Sequence, residues 1–351
     1  MSIGSAADYG ISSQGRSAVY EEPLGATGVR IRERPRTEAP PGTVAVSIRA
    51  ASINHLDLWM AHGAQRIAPP RVIAADGAGV VHASTDPRWR PGDEVVIFPT
   101  LCCWECDWCR AGENVKCARF GVLGEHADGA ACELFQIDAR NIFRKPKALG
   151  WHEAAAFPLT FLTAWRMLTT RARLRADETV LVIGAGAGVA VAAITIARHL
   201  GARVFATSRS EAKRARAIEL GAEAAFDSAG FSKAVRAATG DGVDVVFEHV
   251  GPATLEESMR SIAMGGRVVT CGSTSGVKAE LTMPRLFFRH ADLLGSTMGN
   301  ASEFEAVLRA IDAGMRPVVD SVYTLDQVQA ALRRLDEAEQ FGKVVLEVPA
   351  D

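Results

Sequence analysis

One stretch constrains the fold more than any other: Val180-Leu181-Val182-Ile183-Gly184-Ala185-Gly186-Ala187-Gly188-Val189-Ala190. Its first four residues are a continuous apolar run, as in a strand covered on both faces. Glycines at 184, 186 and 188 then allow a tight turn and the close approach of a ligand to the backbone. Val189, Ala193, Ile196, Ala197 and Leu200 come after them on one face at helical spacing. A helix N-terminus opening out of such a turn gathers free N–H groups and the positive end of the dipole. It therefore suits an anion, a dinucleotide pyrophosphate being the natural guest. Gly184, Gly186, Ala187, Gly188 and Val189 are the expected contacts. A lone glycine fingerprint is weak evidence, so the rest of the chain has to decide.

The chain continues from this turn as a series of βα units. Strand 180–183 leads to helix 189–200, strand 203–207 to helix 211–220, and strands near 224–226, 243–247, 267–271 and 293–296 alternate with helices 231–238, 254–263 and 302–313. Leu-Gly-Ala occurs at 200–202 and again at 220–222, and glycine just past a helix is the expected C-cap. Repeated βα units require parallel strands with right-handed crossovers, hence a doubly wound sheet.

The first 150 residues read differently. Val44–Ala50 alternates like a strand after the turn Pro40-Pro41-Gly42, and Pro91-Gly92-Asp93 precedes the strand Glu94–Phe98. Short strands and turns of this kind imply a β-barrel-like domain. A helix begins near Trp151, with Pro158 as its kink. The tail beyond Pro317 (strand, helix 325–337, strand 343–348) is too short for a third domain and is expected to return to the first. Met1 to Gly15 is polar, lacks an apolar signal core and is expected to be disordered.

With 351 residues, two domains are expected. A net charge of −2 gives no electrostatic case for nucleic acid or acidic lipid. No apolar run approaches the ~18–20 residues of a membrane helix. Five of the seven cysteines lie between 102 and 117. Cys103, Cys106, Cys109 and Cys117 are spaced C-x2-C-x2-C-x7-C, which closes a tetrahedral shell around one Zn²⁺ per chain on a single loop. Four thiolates leave no open position, so this zinc is expected to be structural, in a cytoplasmic protein. Buried free thiols and an iron–sulfur cluster are the alternatives.

The cofactor can be narrowed further. In NAD enzymes an acid near the end of the second strand binds the adenosine ribose diol. Here that place is Ser208, with Arg209 and Lys213 close behind. Hydroxyl and cationic donors suit a 2′-phosphate, so NADPH is expected; a solvated helix start is the plainer reading of the two cations.

The cysteine loop, the dinucleotide-binding half and the short return together resemble the medium-chain dehydrogenase/reductase superfamily, over about 17–348. Local stretches match as well: Pro91-Gly92-Asp93-Glu94-Val95, Leu162-Thr163-Ala164, Gly242–Val246 and Gly342-Lys343-Val344-Val345-Leu346. The resemblance implies a GroES-like catalytic domain (16–152 and 316–351, zinc loop 102–117) and a Rossmann domain (153–315), with the active site in the cleft between them. It is nearest to the quinone oxidoreductase and enoyl reductase branch. It further implies that Thr163 touches the nicotinamide and that Val250, Gly251, Gly272 and Ser273 line the cofactor cleft. A homodimer or homotetramer is expected, with edge strands near Leu293–Met298 pairing across it.

Against the zinc alcohol dehydrogenases of that superfamily, the ligands of the catalytic zinc are missing. Their positions match Asn54, Ala74-Ala75-Asp76 and Leu159, and the hydroxyl of the proton relay is replaced by Leu56. Catalytic zinc is therefore expected to be absent, since such sites need about three protein ligands. Without a Lewis acid a conjugated alkene or quinone is a better hydride acceptor than a plain ketone, because the charge spreads into an enolate. Asn54 is the candidate donor, His55 a donor or proton relay, and Asp76 orients either. The plainer readings are a turn cap for Asn54, a cofactor-phosphate contact for His55 and a core hydrogen-bonding role for Asp76. The leading expectation is NADPH-dependent reduction of a small-molecule enone, enal or quinone. The alternatives are a zinc-independent carbonyl reductase or alcohol dehydrogenase, and a redox-silent NADPH-binding cyclase or binding protein.

Overall fold

The computed structural model describes residues 11–38, 40–63 and 69–349. It divides into two compact units, one of residues 1–159, 300–312 and 317–351, the other of 160–299 and 313–316.

In the second unit the apolar runs become six parallel strands. Across the sheet they lie in the order Ala224–Phe226, Arg203–Thr207, Thr179–Val182, Val243–Glu248, Ile262–Thr270, Asp292–Gly295. In chain order this is 3-2-1-4-5-6, the Rossmann arrangement. Helices Gly188–His199, Glu211–Glu219, Phe231–Thr239 and Pro252–Ser261 alternate with the strands. Leu181, Phe205, Phe231, Val246 and Val268 meet in one of its buried clusters. The strand order reverses beside Thr179–Val182, which pairs with Arg203–Thr207 on one side and Val243–Glu248 on the other. Ligands of such sheets bind outside the strand ends at that switch point, where the glycine turn lies.

The first unit is a ten-stranded sheet around one long strand, Thr43–Ile53. That strand pairs antiparallel with Asp76–Ser84, Cys132–Asp138 and Lys343–Glu347. Val319–Thr324 adds on in parallel to Lys343–Glu347. Val319–Thr324 and Lys343–Glu347 thus build the first unit's sheet. Gly79 lies where strands come close: a Cβ there would be 2.2 Å from the Ser47 carbonyl oxygen. The helix Ala301–Asp312 clusters with this unit, whereas its place after the last Rossmann strand suggests the other. The physical reason is Phe304. Its fully buried ring lies 5.4 Å from Phe98, 5.0 Å from Phe143 and 5.7 Å from Phe157. Burial of such a side chain is worth about 1.5–3 kcal/mol.

Two further details differ from the sequence reading. Ser12–Gly15, expected within a disordered tail, open the strand Ser12–Tyr20. Their buried polar groups are paired: Ser13 Oγ donates to the Gly129 carbonyl at 2.8 Å, and Gln14 Nε2 to Thr37 Oγ1 at 3.0 Å. Residues 1–10 of that tail lie outside the described residues. The helix around Pro158 is two helices, Trp151–Ala156 and Pro158–Trp165, because proline lacks the N–H that would continue the first.

Candidate functional site

The glycine turn has the conformation its composition demands. Gly184 and Gly186 have φ of +71° and +118°, which side-chain-bearing residues rarely adopt, and the helix begins at Gly188 with Ala187 as its N-cap. Thr207, buried at the end of the neighbouring strand, braces the turn: its Oγ1 accepts from the Gly184 N–H at 3.1 Å and its carbonyl from the Ala185 N–H at 2.7 Å. Val189 is the second helical residue.

Ser208 is buried just past that strand, and its N–H donates to the Phe226 carbonyl at 3.0 Å. Arg209 is exposed beside it. Lys213 lies in the next helix, which Ser210 caps, and its stem crosses the glycine turn: a Cβ on Gly186 would sit 2.6 Å from Lys213 Cδ. Ser208, Arg209 and Lys213 thus follow the strand that braces the turn, and of the three Lys213 reaches over it.

Val250, Gly251, Gly272 and Ser273 come together at the ends of the next two strands. The Val250 and Gly251 N–H groups donate to Glu248 Oε1 at 2.7 and 3.1 Å. Thr254 and Ser258 hydroxyls hold its other oxygen at 2.8 and 2.7 Å. A Cβ on Gly251 would lie 3.1 Å from Ser273 Cα, and one on Gly272 2.5 Å from the His249 carbonyl oxygen. His249 is buried against the turn. Its Nε2 donates to the Ile183 carbonyl at 2.8 Å, and burial lowers its pKa, keeping the ring neutral. Thr163 is buried, with its Oγ1 3.8 Å from Met298 Sδ.

In the first unit, Asn54 and Asp76 meet. They sit at the end of one strand and the start of its antiparallel neighbour, and Asn54 Nδ2 donates to Asp76 Oδ2 at 2.9 Å. Asp76 is fully buried and also accepts from Ser52 Oγ at 3.1 Å and from the Leu159 N–H at 2.7 Å. The residue that sequence reasoning missed is Lys343. Its ammonium, 4% exposed, donates to Asp76 Oδ2 at 2.9 Å and to Asn54 Oδ1. The local signal was a lysine opening a strand whose next three residues are apolar. Asp57, one helical turn on, is also buried. Its carboxylate accepts from the Asn54 N–H at 2.7 Å and the Ala74 N–H at 2.9 Å. Burial pushes its pKa up to about 6, against the pull of those two N–H groups and of Lys343. His55 is exposed, its ring edge-on to Trp59 at 5.5 Å.

This donor set does not fit a catalytic zinc. One carboxylate, one amide and two apolar positions face an ammonium that already neutralises the carboxylate, where catalytic zinc takes about three good ligands.

The cysteine loop does fit zinc. The sulfurs of Cys103, Cys106, Cys109 and Cys117 all lie within 4.8 Å of one another. A tetrahedron with ~2.3 Å Zn–S arms has edges of about 3.8 Å. Cys103 lies 3.8 Å from Cys109 and 3.5 Å from Cys117. Backbone N–H groups point at the sulfurs: Cys106 at Cys103, 3.3 Å, and Cys103 and Arg119 at Cys117, 3.4 and 3.3 Å. Burial alone would raise the Cys103 thiol, but the N–H groups of Glu105 and Cys106 bring it down to about 6. Cys102 stays outside the set, beside Asn114 Nδ2 at 3.5 Å, and burial pushes its thiol up to about 11.

Known proteins resemble this chain over most of its length. Residues 40–147 match the alcohol dehydrogenase GroES-like domain and residues 188–313 the zinc-binding dehydrogenase family. A solved NAD-dependent alcohol dehydrogenase is 41% identical with a TM-score of 0.91, covering 95% of this chain and 100% of that one. A 2-octenoyl-CoA carboxylase reductase, CinF, solved with NADP and 2-octenoyl-CoA, is 26% identical with a TM-score of 0.88, over 96% of this chain and 88% of that one. Acryloyl-coenzyme A reductase of Metallosphaera sedula is 28% identical over 91% of this chain and 96% of its own length. NorB of the spectinabilin polyketide synthase system of Streptomyces orinoci is 34% identical over 90% of this chain, which spans only 14% of that longer protein. Both halves of the chain match domain models of zinc-type dehydrogenases and a 41% identical dehydrogenase is covered over its whole length, so this chain belongs to the medium-chain dehydrogenase/reductase superfamily.

Proposed function

We propose that the protein is an NADPH-dependent reductase of carbon–carbon double bonds conjugated to a carbonyl, with enoyl thioesters as the leading acceptor class and quinones and enones as wider ones. The observation that carries this reading is the Asn54–Asp76–Lys343 cluster, which puts hydrogen-bonded polar groups where a zinc dehydrogenase would need metal ligands. NADPH, when bound, supplies the hydride. The acceptor takes it at the carbon β to its carbonyl, the π electrons move to the carbonyl oxygen as an enolate, and a proton then adds at the α carbon. Asn54 donates to the enolate oxygen, Asp76 holds Asn54, and His55 relays the proton. Ser208, Arg209 and Lys213 receive the 2′-phosphate, and the glycine turn the pyrophosphate. Thr163, Val250, Gly251, Gly272 and Ser273 hold the nicotinamide end. The acryloyl- and octenoyl-coenzyme A relatives support the acceptor class.

A second reading, NAD-dependent alcohol or carbonyl chemistry, is favoured by the 41% identical dehydrogenase. Oxidation of NADPH and NADH against crotonyl- and acryloyl-coenzyme A, an enone, a quinone and a simple aldehyde separates the two. NADPH oxidation with the conjugated acceptors is expected; turnover confined to the aldehyde with NADH overturns the proposal.

The proposal includes a cytoplasmic homodimer. Among the described residues the strand Asp292–Gly295 ends its sheet, pairs only with Ile262–Thr270 and exposes Leu293, 41% accessible, so its outer edge suits the same edge of a second copy. A four-thiolate loop requires reduced cysteines, as in the cytoplasm. No helix among the described residues is long and apolar enough to cross a membrane.

A further inference from the structure

We propose that Lys343 is a positioning residue of the reductase site: its ammonium clamps the Asn54 amide in one orientation and leaves one Nδ2 hydrogen for the oxygen of the acceptor. This rests on the reductase reading above.

The hydrogen bonds of the cluster lead there. An amide has one oxygen that accepts and a nitrogen with two hydrogens. Asn54 Oδ1 accepts from Lys343 Nζ, and Asn54 Nδ2 gives one hydrogen to Asp76 Oδ2 at 2.9 Å. Among the described residues the second hydrogen has only the Ser52 carbonyl, at a long 3.5 Å. Asp76 is heavily used: Oδ2 takes Ser52, Asn54 and Lys343, and Oδ1 takes the Leu159 N–H. Ser52 Oγ is shared between Asp76 and the Ala155 carbonyl at 2.9 Å. The under-used donor of the cluster is therefore the second Nδ2 hydrogen.

The ammonium decides which way the amide faces, because an amide flipped end for end would present NH₂ to the cation and oxygen to the carboxylate. It also draws electron density towards Oδ1, which makes Nδ2–H a stronger donor. Lys343 lies in a strand that pairs with the strand ending just before Asn54, with Val344 opposite Ile53. Both ends of the clamp are thus fixed by sheet register, the kind of rigid support an oxyanion donor needs.

The test has one arm on the cofactor-free protein and one on turnover. The chain has four asparagines, at 54, 114, 141 and 300, so ¹⁵N-asparagine labelling gives four side-chain NH₂ groups, and Asn54→Asp assigns one of them. In the wild type the Asn54 pair is expected as two sharp signals, one protected from deuterium exchange. In Lys343→Met the pair is expected to broaden and exchange at least tenfold faster, while Lys343→Arg keeps it. With crotonyl-coenzyme A and NADPH, Lys343→Met is expected to lose about 10²-fold in kcat, as for removal of an oxyanion donor, with KM for NADPH unchanged. Should Lys343→Met fail to fold, the double variant Asp76→Asn with Lys343→Met removes both charges and takes its place, with the same losses expected.

An unchanged Asn54 pair, or kcat within threefold of wild type in the folded variant, overturns the proposal. Wild-type protein that turns over no conjugated acceptor overturns the reductase reading, and the role of Lys343 with it.

Discussion

Asp57 offers a direct measurement of what the Asn54 strand end costs to build. Its carboxyl is raised from an ordinary 3.8 to about 6, chiefly by burial. Between those values the folded chain keeps a proton that the unfolded chain has released, so stability falls as pH rises from about 4 to about 6 and is level above that. A difference of about two pKa units at 1.36 kcal/mol each makes the loss about 3 kcal/mol. Asp57→Asn removes the titration while keeping the shape. It also points an NH₂ at one of the two N–H groups that Asp57 accepts, from Asn54 and Ala74, a mismatch worth about 1–3 kcal/mol at any pH. The variant is therefore expected to be less stable than wild type at pH 4 and close to it at pH 7. Urea unfolding followed by tryptophan fluorescence at pH 4, 5, 6 and 7 gives the difference directly. Proton-linked loss of metal from the cysteine loop is common to both proteins and cancels. A wild-type-minus-variant difference that is flat to within about 1 kcal/mol across that range would refute the assignment of a charged, buried Asp57 at neutral pH.

Two other outcomes are expected. Metal analysis should find one zinc per chain, lost with an accompanying fall in melting temperature on Cys103→Ser or Cys106→Ser; two per chain would contradict the reading of the Asn54 cluster. Arg209→Glu should raise KM for NADPH roughly tenfold or more and leave KM for NADH nearly unchanged, since it sets a carboxylate where a 2′-phosphate would bind; equal effects on both cofactors would remove Arg209 from phosphate recognition.

Where conformation depends on local chemistry, the sequence was readable. Three glycines between a strand and a helix announce their own conformation, because no other residue takes φ of +118° comfortably. Four cysteines within fifteen residues announce a shell. Asn54 and Asp76 were paired as candidates because each stands at a position whose usual occupant is a metal ligand. Lys343 was not readable. It lies 267 residues beyond Asp76, and nothing around it in the chain reveals that a pairing of strands removes its ammonium from water. The helix Ala301–Asp312 is a similar case. Its apolar face is evident, but which phenylalanines it would meet is decided by tertiary packing, and Phe98 and Phe143 are far away in sequence.

The discontinuity of the first unit has a consequence for how the chain is made. Its central strand, Thr43–Ile53, leaves the ribosome early but acquires its Lys343–Glu347 neighbour only after nearly three hundred further residues. Until then one edge of that strand is open, Asp76 is buried without its counter-ion or exposed, and the Phe98–Phe143 pocket waits for Phe304. The Rossmann sheet has all its strands within residues 179–295 and is complete before any of this. Synthesis therefore delivers the unit with the six parallel strands first, and the unit holding Asn54, Asp76 and Lys343 is finished last, with an exposed strand edge as the interval's hazard.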